Sequence, residues 1–455
     1  MGSKIEEFQL SDRCTIKSSK RIFAHEYVHS GIPFWRSKDV IDKSLGCFNS
    51  HELFISKERF IEISKIYGHP QKGDLLISSV GNRSGQPYIV QDEGDFYFKD
   101  GNILWISDFR DLDPDFLSYW LKSEKGQSAL SQVMIGSAQK ALTIDALRTL
   151  KVSFPKHKQQ INIAKIFKTL DNKILLARTI NQTLEQMSQT LFKSWFVDFD
   201  PVIDNALDAG NPIPEALQSR AELRQKVRNS ADFKPLPADI RALFPAEFEG
   251  TELGWVPKGW MLSDLGKEFN ITMGQSPSGS TYNEDGTGLP FFQGKTDFGF
   301  RFPSKRIYCT EPKRLAKKFD TLLSVRAPVG VVNLASTECI IGRGLAALRH
   351  KSGNIAFTYY SVSNLSDYFS IFNGEGTVFG SINQKDLKQL PQICPPEILI
   401  NKFEEFSGKW EAMMSVHCSE IESLSNLRDT LLPKLISGEL SLEDLPDLIK
   451  QTEPA

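Results

Sequence analysis

The sequence contains the same long segment twice, and this internal repeat is the feature that most restricts how the chain can fold. The segment GSAQKALTIDALRTLKVSFP (136–155) aligns with GTVFGSINQKDLKQLPQICP (376–395) at an offset of 240 residues. At the same offset, LEQMSQTLFKSW (184–195) aligns with LSNLRDTLLPKL (424–435). Solenoid repeats recur every ~20–50 residues. The longer offset therefore indicates a duplicated domain together with its tail.

Each copy ends in a segment whose apolar residues recur every three or four positions, which is typical of a long amphipathic helix. We expect each helix to have about 36 residues and a length of roughly 54 Å. The two stripes consist of Ile163, Phe167, Leu170, Ile174, Asn181, Leu184 and Leu191 in the first copy, and of Phe403, Trp410, Met414, Ile421, Leu424 and Leu431 in the second. Because the stripes share one register, we predict that the helices pair as an antiparallel coiled-coil spacer, with the polar Asn181 fixing the alignment.

The segments before the two helices have a different pattern. Short β-branched and aromatic runs, such as DLLISSV and GLAALRH, are separated by Gly, Pro and Asn, which predicts strands and turns in α+β domains. We therefore predict a pseudo-twofold tandem repeat of two α/β-mixed domains joined by the long helices. Its segments are a first domain (1–157), a spacer helix (158–196), a linker with a short helix near 215–228 (197–250), a second domain (251–397), a second spacer helix (398–440) and a C-terminal tail (441–455).

Composition excludes several classes of protein. The formal net charge is −2, and the six cysteines include no C-x-x-C pair. Scattered thiols fit a reducing cytoplasm and argue against a disulfide framework or a zinc ribbon. The sequence has no run of 18 or more apolar residues and no apolar segment after its first residues, so we expect neither a membrane span nor a signal peptide.

One short stretch, HEYVH (25–29), matches the H-E-x-x-H pattern with which a helix offers two histidines to zinc. On a strand, residues four apart would lie roughly 13 Å from each other, too far to share one zinc ion. The second copy has PSGSTYNEDGT at this place, without a histidine. A zinc peptidase stays an alternative that requires HEYVH on a helix and a third ligand.

Three segments resemble the specificity (S) subunit of type I restriction–modification systems. QTLFKSWFVDFDPV (189–202) and LRDTLLPKLISGEL (427–440) close the two predicted helices, and ELGWVPKGW (252–260) opens the second half. The run WFVDFDP is the most specific part of this resemblance. The first domain is similar to the family only loosely, through GIPFWRSKDV and GDLLISSVGNRSG.

The resemblance implies a non-catalytic subunit. Each domain would be a target recognition domain that reads one half of a bipartite site in double-stranded DNA. The helices would set the unread gap and dock two methyltransferase (modification) subunits, which carry S-adenosylmethionine and methylate adenine. Restriction (translocase–nuclease) subunits, which use ATP and Mg²⁺, would join this core. A specificity scaffold for an orphan or phage-defence methyltransferase without a nuclease stays an alternative, because the partners are separate chains.

DNA reading requires cations for phosphates and polar side chains on loops for base edges. Residues 256–395 contain 16 Lys and Arg against 11 Asp and Glu, although the whole chain is slightly acidic. The residues predicted to bind DNA are Arg36, Lys38, Asn82, Arg83, Gln139 and Lys140 in the first domain, and Gln293, Lys295, Lys313, Arg314, Lys317, Arg326 and Arg343 in the second.

Overall fold

The computed structural model describes residues 5–46, 52–81, 83–135, 141–373 and 380–442. The chain divides into two compact units, one formed by residues 1–176 with 421–455 and the other by residues 177–420. The division passes through both long helices. Each unit therefore consists of one globular domain and a segment of each helix.

The first domain consists of short strands and helices around buried central strands. Strands β6 (Leu75–Ser78) and β9 (Ile103–Ser107) have every residue buried, which explains their nearly continuous apolar sequences LLIS and ILWIS. The strands are β1 (Glu6–Gln9), β2 (Thr15–Lys17), β3 (Tyr27–Val28), β4 (Ile32–Trp35), β5 (Phe54–Ile55), β6 (Leu75–Ser78), β7 (Pro87–Ile89), β8 (Tyr97–Phe98), β9 (Ile103–Ser107) and β10 (Lys151–Phe154). The helices are α1 (Ser37–Ser44), α2 (Lys57–Tyr67), α3 (Pro114–Lys122), α4 (Glu124–Val133) and α5 (Ile144–Arg148).

The first long helix and the segment after it form the next part of the chain. Helix α6 extends over His157–Phe196 and is followed by α7 (Asp200–Ala209), α8 (Gln218–Arg228), α9 (Ala238–Arg241) and the hairpin of β11 (Phe248–Thr251) and β12 (Gly254–Pro257). Helix α8 lies where the sequence predicts a short helix. The remainder of the predicted linker is folded as well, because its side chains form a specific set of ion pairs.

These ion pairs join α7 to α8. Both the aspartates of α7 and the arginines of α8 recur every four residues, so each set occupies one helix face. The carboxylates of Asp200 and Asp204 accept hydrogen bonds from Arg220 at 2.7 Å and from Arg224 at 3.1 Å. Asp208, the third aspartate, pairs with Arg228 and Arg241, and these two guanidinium groups hold its pKa below the ordinary value. The ladder fixes the two helices against each other.

The WFVDFDP run connects the aromatic core of the second unit to this ladder of ion pairs. The rings of Trp195, Phe196 and Phe199 lie in one buried cluster with Trp260 and Phe403. Phe199 has the left-handed backbone conformation, with φ of 56°, and turns the chain out of α6 into α7. The aromatic residues of the run therefore pack in the core of the second unit, and Asp200 begins the ladder.

The second domain repeats the first. Its strands are β13 (Met261–Asp264), β14 (Phe269–Met273), β15 (Tyr282–Asn283), β16 (Leu289–Phe292), β17 (Tyr308–Cys309), β18 (Leu315–Ala316), β19 (Thr321–Ser324), β20 (Val332–Leu334), β21 (Cys339–Ile341), β22 (Leu345–His350) and β23 (Pro391–Cys394). Its helices are α10 (Leu265–Glu268), α11 (Ile355–Ser363), α12 (Ser366–Ser370) and α13 (Gln384–Lys388), and the second long helix, α14 (Glu397–Ser437), follows.

Sheet topology shows the duplication directly. The strand order β2-β9-β6-β7 of the first domain returns as β14-β22-β19-β20 in the second. The order β3-β5-β4-β8 returns as β15-β17-β16-β21, with β18 added at one edge, and the terminal pair β1-β10 returns as β13-β23. In both domains, the sheet that begins with the tyrosine strand (β3 or β15) contains a parallel pair, which is β4 with β8 in the first domain and β16 with β21 in the second. The predicted fold class of two mixed domains with long helices is confirmed.

The two long helices have 40 and 41 residues, slightly more than predicted. In the first unit, Arg428 of α14 binds Asp171 of α6 at 3.0 Å, while Ile163 and Leu435 share a core cluster. The position on α14 thus rises as the position on α6 falls, so the helix segments run antiparallel.

The second unit shows the same direction. Asn181 of α6 contacts Met414 and His417 of α14, whereas Phe192 packs on Phe403, with ring centroids 5.6 Å apart. Of the predicted seam residues, Ile163, Phe167, Ile174, Asn181, Leu184, Phe403 and Met414 are buried, and Leu170, Leu191, Trp410, Ile421, Leu424 and Leu431 are partly exposed. Glu411, the neighbour of Trp410 on α14, is buried.

The aspartate–arginine ladder can be tested by removing its two ends separately. We expect Asp200→Ala to lower the local free energy of unfolding of α8 by about 2 kcal/mol, because the 5% exposed carboxylate leaves Arg220 without its buried partner. Asp208→Ala is the matched control, and at 47% exposure its loss should stay below about 1 kcal/mol. Amide hydrogen exchange of residues 218–228 measures both values. Equal protection in the two variants would contradict this account.

Candidate nucleic-acid interface

A parallel strand pair brings two loops of the second domain together. The carboxyl ends of parallel strands lie at the same edge of a sheet, where ligand-binding loops of such sheets are usually found. At this edge the Phe292 carbonyl accepts a hydrogen bond from Gly342 N–H at 2.8 Å, and the Gln293 carbonyl accepts one from Gly344 N–H at 3.1 Å. The loops after β16 and β21 are therefore joined by their backbones, and Gln293 lies beside Arg343.

These loops border a cleft of about 630 Å³. Four of the seven residues predicted to bind DNA in this domain line it, namely Gln293, Lys295, Arg326 and Arg343, and all four are exposed. The other polar or aromatic lining residues include Tyr282, Phe291, Asp297 and Arg306. The cleft thus combines exposed cations and an amide with two aromatic rings.

The charges of the cleft do not balance. Arg306 donates to the Asp297 carboxylate at 3.0 Å, so these two side chains neutralise each other. Among the residues that the structure describes, no carboxylate forms an ion pair with Lys295, Arg326 or Arg343. The cleft therefore presents three uncompensated positive charges to solvent, as an anion-binding surface requires.

Close packing holds the loops in place. A Cβ atom at Gly344 would lie 2.5 Å from the Gln293 carbonyl oxygen, so a larger residue would push the two loops apart. The Arg343 N–H donates to Ser276 Oγ at 3.2 Å. On the floor, the rings of Tyr282 and Phe291 lie 4.7 Å apart, and burial raises the pKa of Tyr282. The cations consequently project from a fixed backbone.

The structure does not bring the other predicted cations of this domain into the cleft. Lys313, Arg314 and Lys317 are exposed residues around β18. That strand is the edge of its sheet opposite β15, and the three residues do not line the cleft. The structure therefore places these three cations apart from the cleft residues.

The first domain has the equivalent edge, with a different charge balance. Its parallel strands β4 and β8 are joined by a hydrogen bond from Lys99 N–H to the Trp35 carbonyl at 2.9 Å. Arg36 and Lys38 occupy the positions of Gln293 and Lys295 after the parallel strand.

Acidic neighbours neutralise part of this edge. Arg36 binds Glu52 at 2.7 Å and lies 3.6 Å from Asp39, and the hydrogen bond to Glu52 raises the pKa of the guanidinium further. Lys38 and Arg83 are exposed, and no ion pair is formed by either within the described residues. The predicted residues Asn82, Gln139 and Lys140 lie outside the described residues.

Sequence reasoning missed the aromatic floor of these sites. Tyr27 packs on Phe34 with ring centroids 5.2 Å apart, as Tyr282 does on Phe291. In both domains the tyrosine opens the strand that follows a single 3₁₀ turn, Ala24–Glu26 or Gly279–Thr281. The internal repeat could have identified these tyrosines, because each one precedes the matching GIPF or GLPF segment.

The same 3₁₀ turn contains part of HEYVH and shows whether this segment is helical. His25 and Glu26 lie in the 3₁₀ turn and Tyr27 begins β3, so the helix that a zinc peptidase requires is not formed. The Glu26 carboxylate accepts hydrogen bonds from Phe23 N–H and from Arg59, each at 2.7 Å, and the first of these lowers its pKa. Within the described part of the chain, no three His, Cys, Asp or Glu side chains are grouped for a metal ion. The zinc peptidase alternative does not fit this geometry.

Comparison with known proteins finds a family model that matches the first part of the chain and relatives that align with most of it. Residues 2–186 match the type I restriction modification DNA specificity domain. The HindI specificity subunit of Haemophilus influenzae is 27% identical over 434 residues, covering 86% of this chain and 93% of that protein. The MjaIX specificity subunit of Methanocaldococcus jannaschii is 22% identical over 445 residues, covering 92% and 89%.

A solved structure has the same fold. The S subunit of the type I restriction–modification system from M. genitalium aligns with a TM-score of 0.57 at 15% identity, covering 95% of this chain and 96% of that one. Residues 2–186 are therefore similar to a type I restriction modification DNA specificity domain, and the chain as a whole is similar to type I restriction enzyme specificity subunits. Across the described ranges, no helix combines the length and apolarity that a membrane crossing needs.

Proposed function

We propose that this chain selects the DNA sequence for a type I restriction–modification complex, with each domain reading one half of a bipartite double-stranded site. The observation that supports this proposal most is the repeated cleft edge. In both domains, cationic or amide side chains directly follow one strand of the parallel pair, and a backbone hydrogen bond joins the end of that strand to the turn after the other. Two equivalent edges in one chain fit a site with two halves.

The side chains of the second cleft suit DNA chemically. Lys295, Arg326 and Arg343 lack acidic partners within the described residues and can neutralise phosphates, which supplies affinity in any sequence. Arg343 and Gln293 also carry the bidentate donor and acceptor groups that discriminate guanine and adenine in the major groove. The first domain, where Glu52 binds Arg36, is expected to contribute less of the electrostatic affinity.

The long helices are proposed to set the unread gap between the halves and to dock two methyltransferase subunits. Several large apolar side chains are exposed on the two helices, where a bound protein partner would cover them. They include Leu176, Met187, Met413, Val416 and Leu427, each more than 40% exposed. The bound subunits would supply S-adenosylmethionine and methylate adenine, and restriction subunits would supply ATP-dependent cleavage. This chain would then contribute recognition and no chemistry.

Cleft charges provide the first test of DNA reading. We expect Lys295→Ala and Arg343→Ala each to weaken binding of the methyltransferase complex to its site and to reduce the slope of log affinity against log salt by about 1. Gln293→Ala should instead relax base preference at one position, costing about 1–3 kcal/mol. Lys313→Ala is the matched control, since this exposed cation lies outside the cleft. A salt slope that changes as much in the control as in the cleft variants would refute the assignment.

Inserting one heptad of seven residues into both long helices tests the spacer role. Each insertion adds about 10 Å of helix, close to three base pairs of B-DNA, and keeps the seam in register. We expect the variant complex to methylate sites with the same two half-sequences and a longer gap. Mapping methyladenine in DNA modified by the variant complex measures this gap directly. The spacer role fails if the gap stays at its wild-type length.

A further inference from the structure

A tyrosine of the first domain binds a carboxylate of the long helix on which the domain packs. Tyr119 of α3 donates from its hydroxyl to Asp171 of α6 at 2.7 Å. The other carboxylate oxygen of Asp171 accepts from Arg428 of α14 at 3.0 Å. One tyrosine, one carboxylate and one arginine therefore connect the domain to both helices of the first unit.

The second domain has the same arrangement at the equivalent positions. Tyr360 of α11 donates to Glu411 of α14 at 3.1 Å, and Arg301 lies 3.2 Å from the same carboxylate oxygen. Glu411 follows Asp171 by the repeat offset of 240 residues, and Tyr360 matches Tyr119 within one residue. The duplication has thus kept the tyrosine and the carboxylate in each half, and an arginine from a different element completes each tyrosine–carboxylate–arginine anchor.

The two anchors differ in where the arginine comes from and how deeply it lies. Arg428 belongs to a long helix and its side chain is 30% exposed, whereas Arg301 belongs to the second domain and is completely buried. Arg301 also lies 3.7 Å from Glu185 of α6, and its guanidinium stacks 4.1 Å above the ring of Tyr359. A single buried guanidinium therefore touches α6, α14 and the domain.

Burying this charge between the helices costs desolvation free energy that its partners only partly offset. Within the described residues, Arg301 Nε and Nη1 and Glu411 Oε2 have no hydrogen-bond partner, and burial raises the pKa of Glu411 to about 7. Buried ion pairs of this kind can often be replaced by apolar residues without loss of stability. The polar layer continues one turn away, where Asn181 Oδ1 and His417 Nδ1 lie 2.9 Å apart. A buried polar layer that adds little stability is best suited to specifying alignment.

We propose that the two anchors are positioning elements that orient each reading domain on its helices, and that Arg301 fixes the axial alignment of α6 against α14. Apolar seam residues permit sliding by a turn with modest loss, because leucine and isoleucine side chains fill similar spaces. A guanidinium that must meet Glu185 and Glu411 at once has one acceptable alignment. This inference rests on the proposed spacer role and names the residue that makes the gap unique.

The test replaces the buried pair by apolar residues in the full complex with methyltransferase subunits. We expect Arg301→Met/Glu411→Leu to fold with a melting temperature at or above that of the wild type. Sliding by one turn moves a helix by about 5.4 Å, or roughly one to two base pairs. Mapped methyladenine should then show sites with the wild-type gap and sites one or two base pairs shorter or longer, with preference for the correct gap reduced about tenfold. Tyr360→Phe, which removes one hydroxyl, should give a smaller relaxation in the same direction.

The control separates positioning from stability. Leu184→Ala creates a cavity in the apolar seam and should lower the melting temperature while the gap stays unique. The inference is overturned if the double variant folds and keeps a single gap, or if Leu184→Ala relaxes the gap as much. If the double variant does not fold, a unique gap in Tyr360→Phe overturns it and a relaxed gap supports it. A wild-type complex without a bipartite site would instead overturn the proposed function.

Discussion

The packing of the two long helices against each other is the interaction on which the rest of the structure depends. In the first unit, Ile163 and Phe167 of α6 and Leu435 of α14 belong to the same buried cluster as Phe116 and Phe154 of the domain. Burial of each such side chain contributes about 1.5–3 kcal/mol. Since the helix ends complete the domain core, neither can reach its stable packing without the other. In the second unit, Phe192, Phe403 and Phe357 make the corresponding cluster.

Duplication allows the two halves to diverge at the cleft while the scaffold stays constant. Sheet order and the parallel strand pair are the same in both domains, yet the positions of Arg36 and Gln293 carry different chemistry. The acidic neighbours also differ, because Glu52 neutralises Arg36 and no described carboxylate pairs with Lys295. Loops that project from a fixed sheet edge can change their side chains without disturbing the core. The proposed reading of two different half-sites would require this independence.

Much of this architecture could be predicted from the sequence, because a repeat and a heptad stripe are properties of the chain itself. The cleft could be predicted in part, since Gln293 and Lys295 follow a recognisable strand and Arg343 follows another. The charged segment EPKRLAKKF does not line the cleft, because local charge density does not show which residues meet in space. The burial and pairing of Arg301 cannot be predicted from the residues around it, because its partners Glu185 and Glu411 lie more than a hundred residues away on either side. The aspartate–arginine ladder, in contrast, is present in the sequence as two series of residues spaced by four, but the spacing alone does not show that the two series face each other.

We propose that one chain reads two separate half-sites through two copies of one domain. The decisive experiment is methyladenine mapping in genomic DNA, with the wild-type chain expressed beside its methyltransferase subunits. We expect a motif of two specified halves separated by a constant number of unspecified base pairs. We also expect that replacing residues 293 and 343 alters one half only. A continuous motif, or changes in both halves after those replacements, would contradict this proposal.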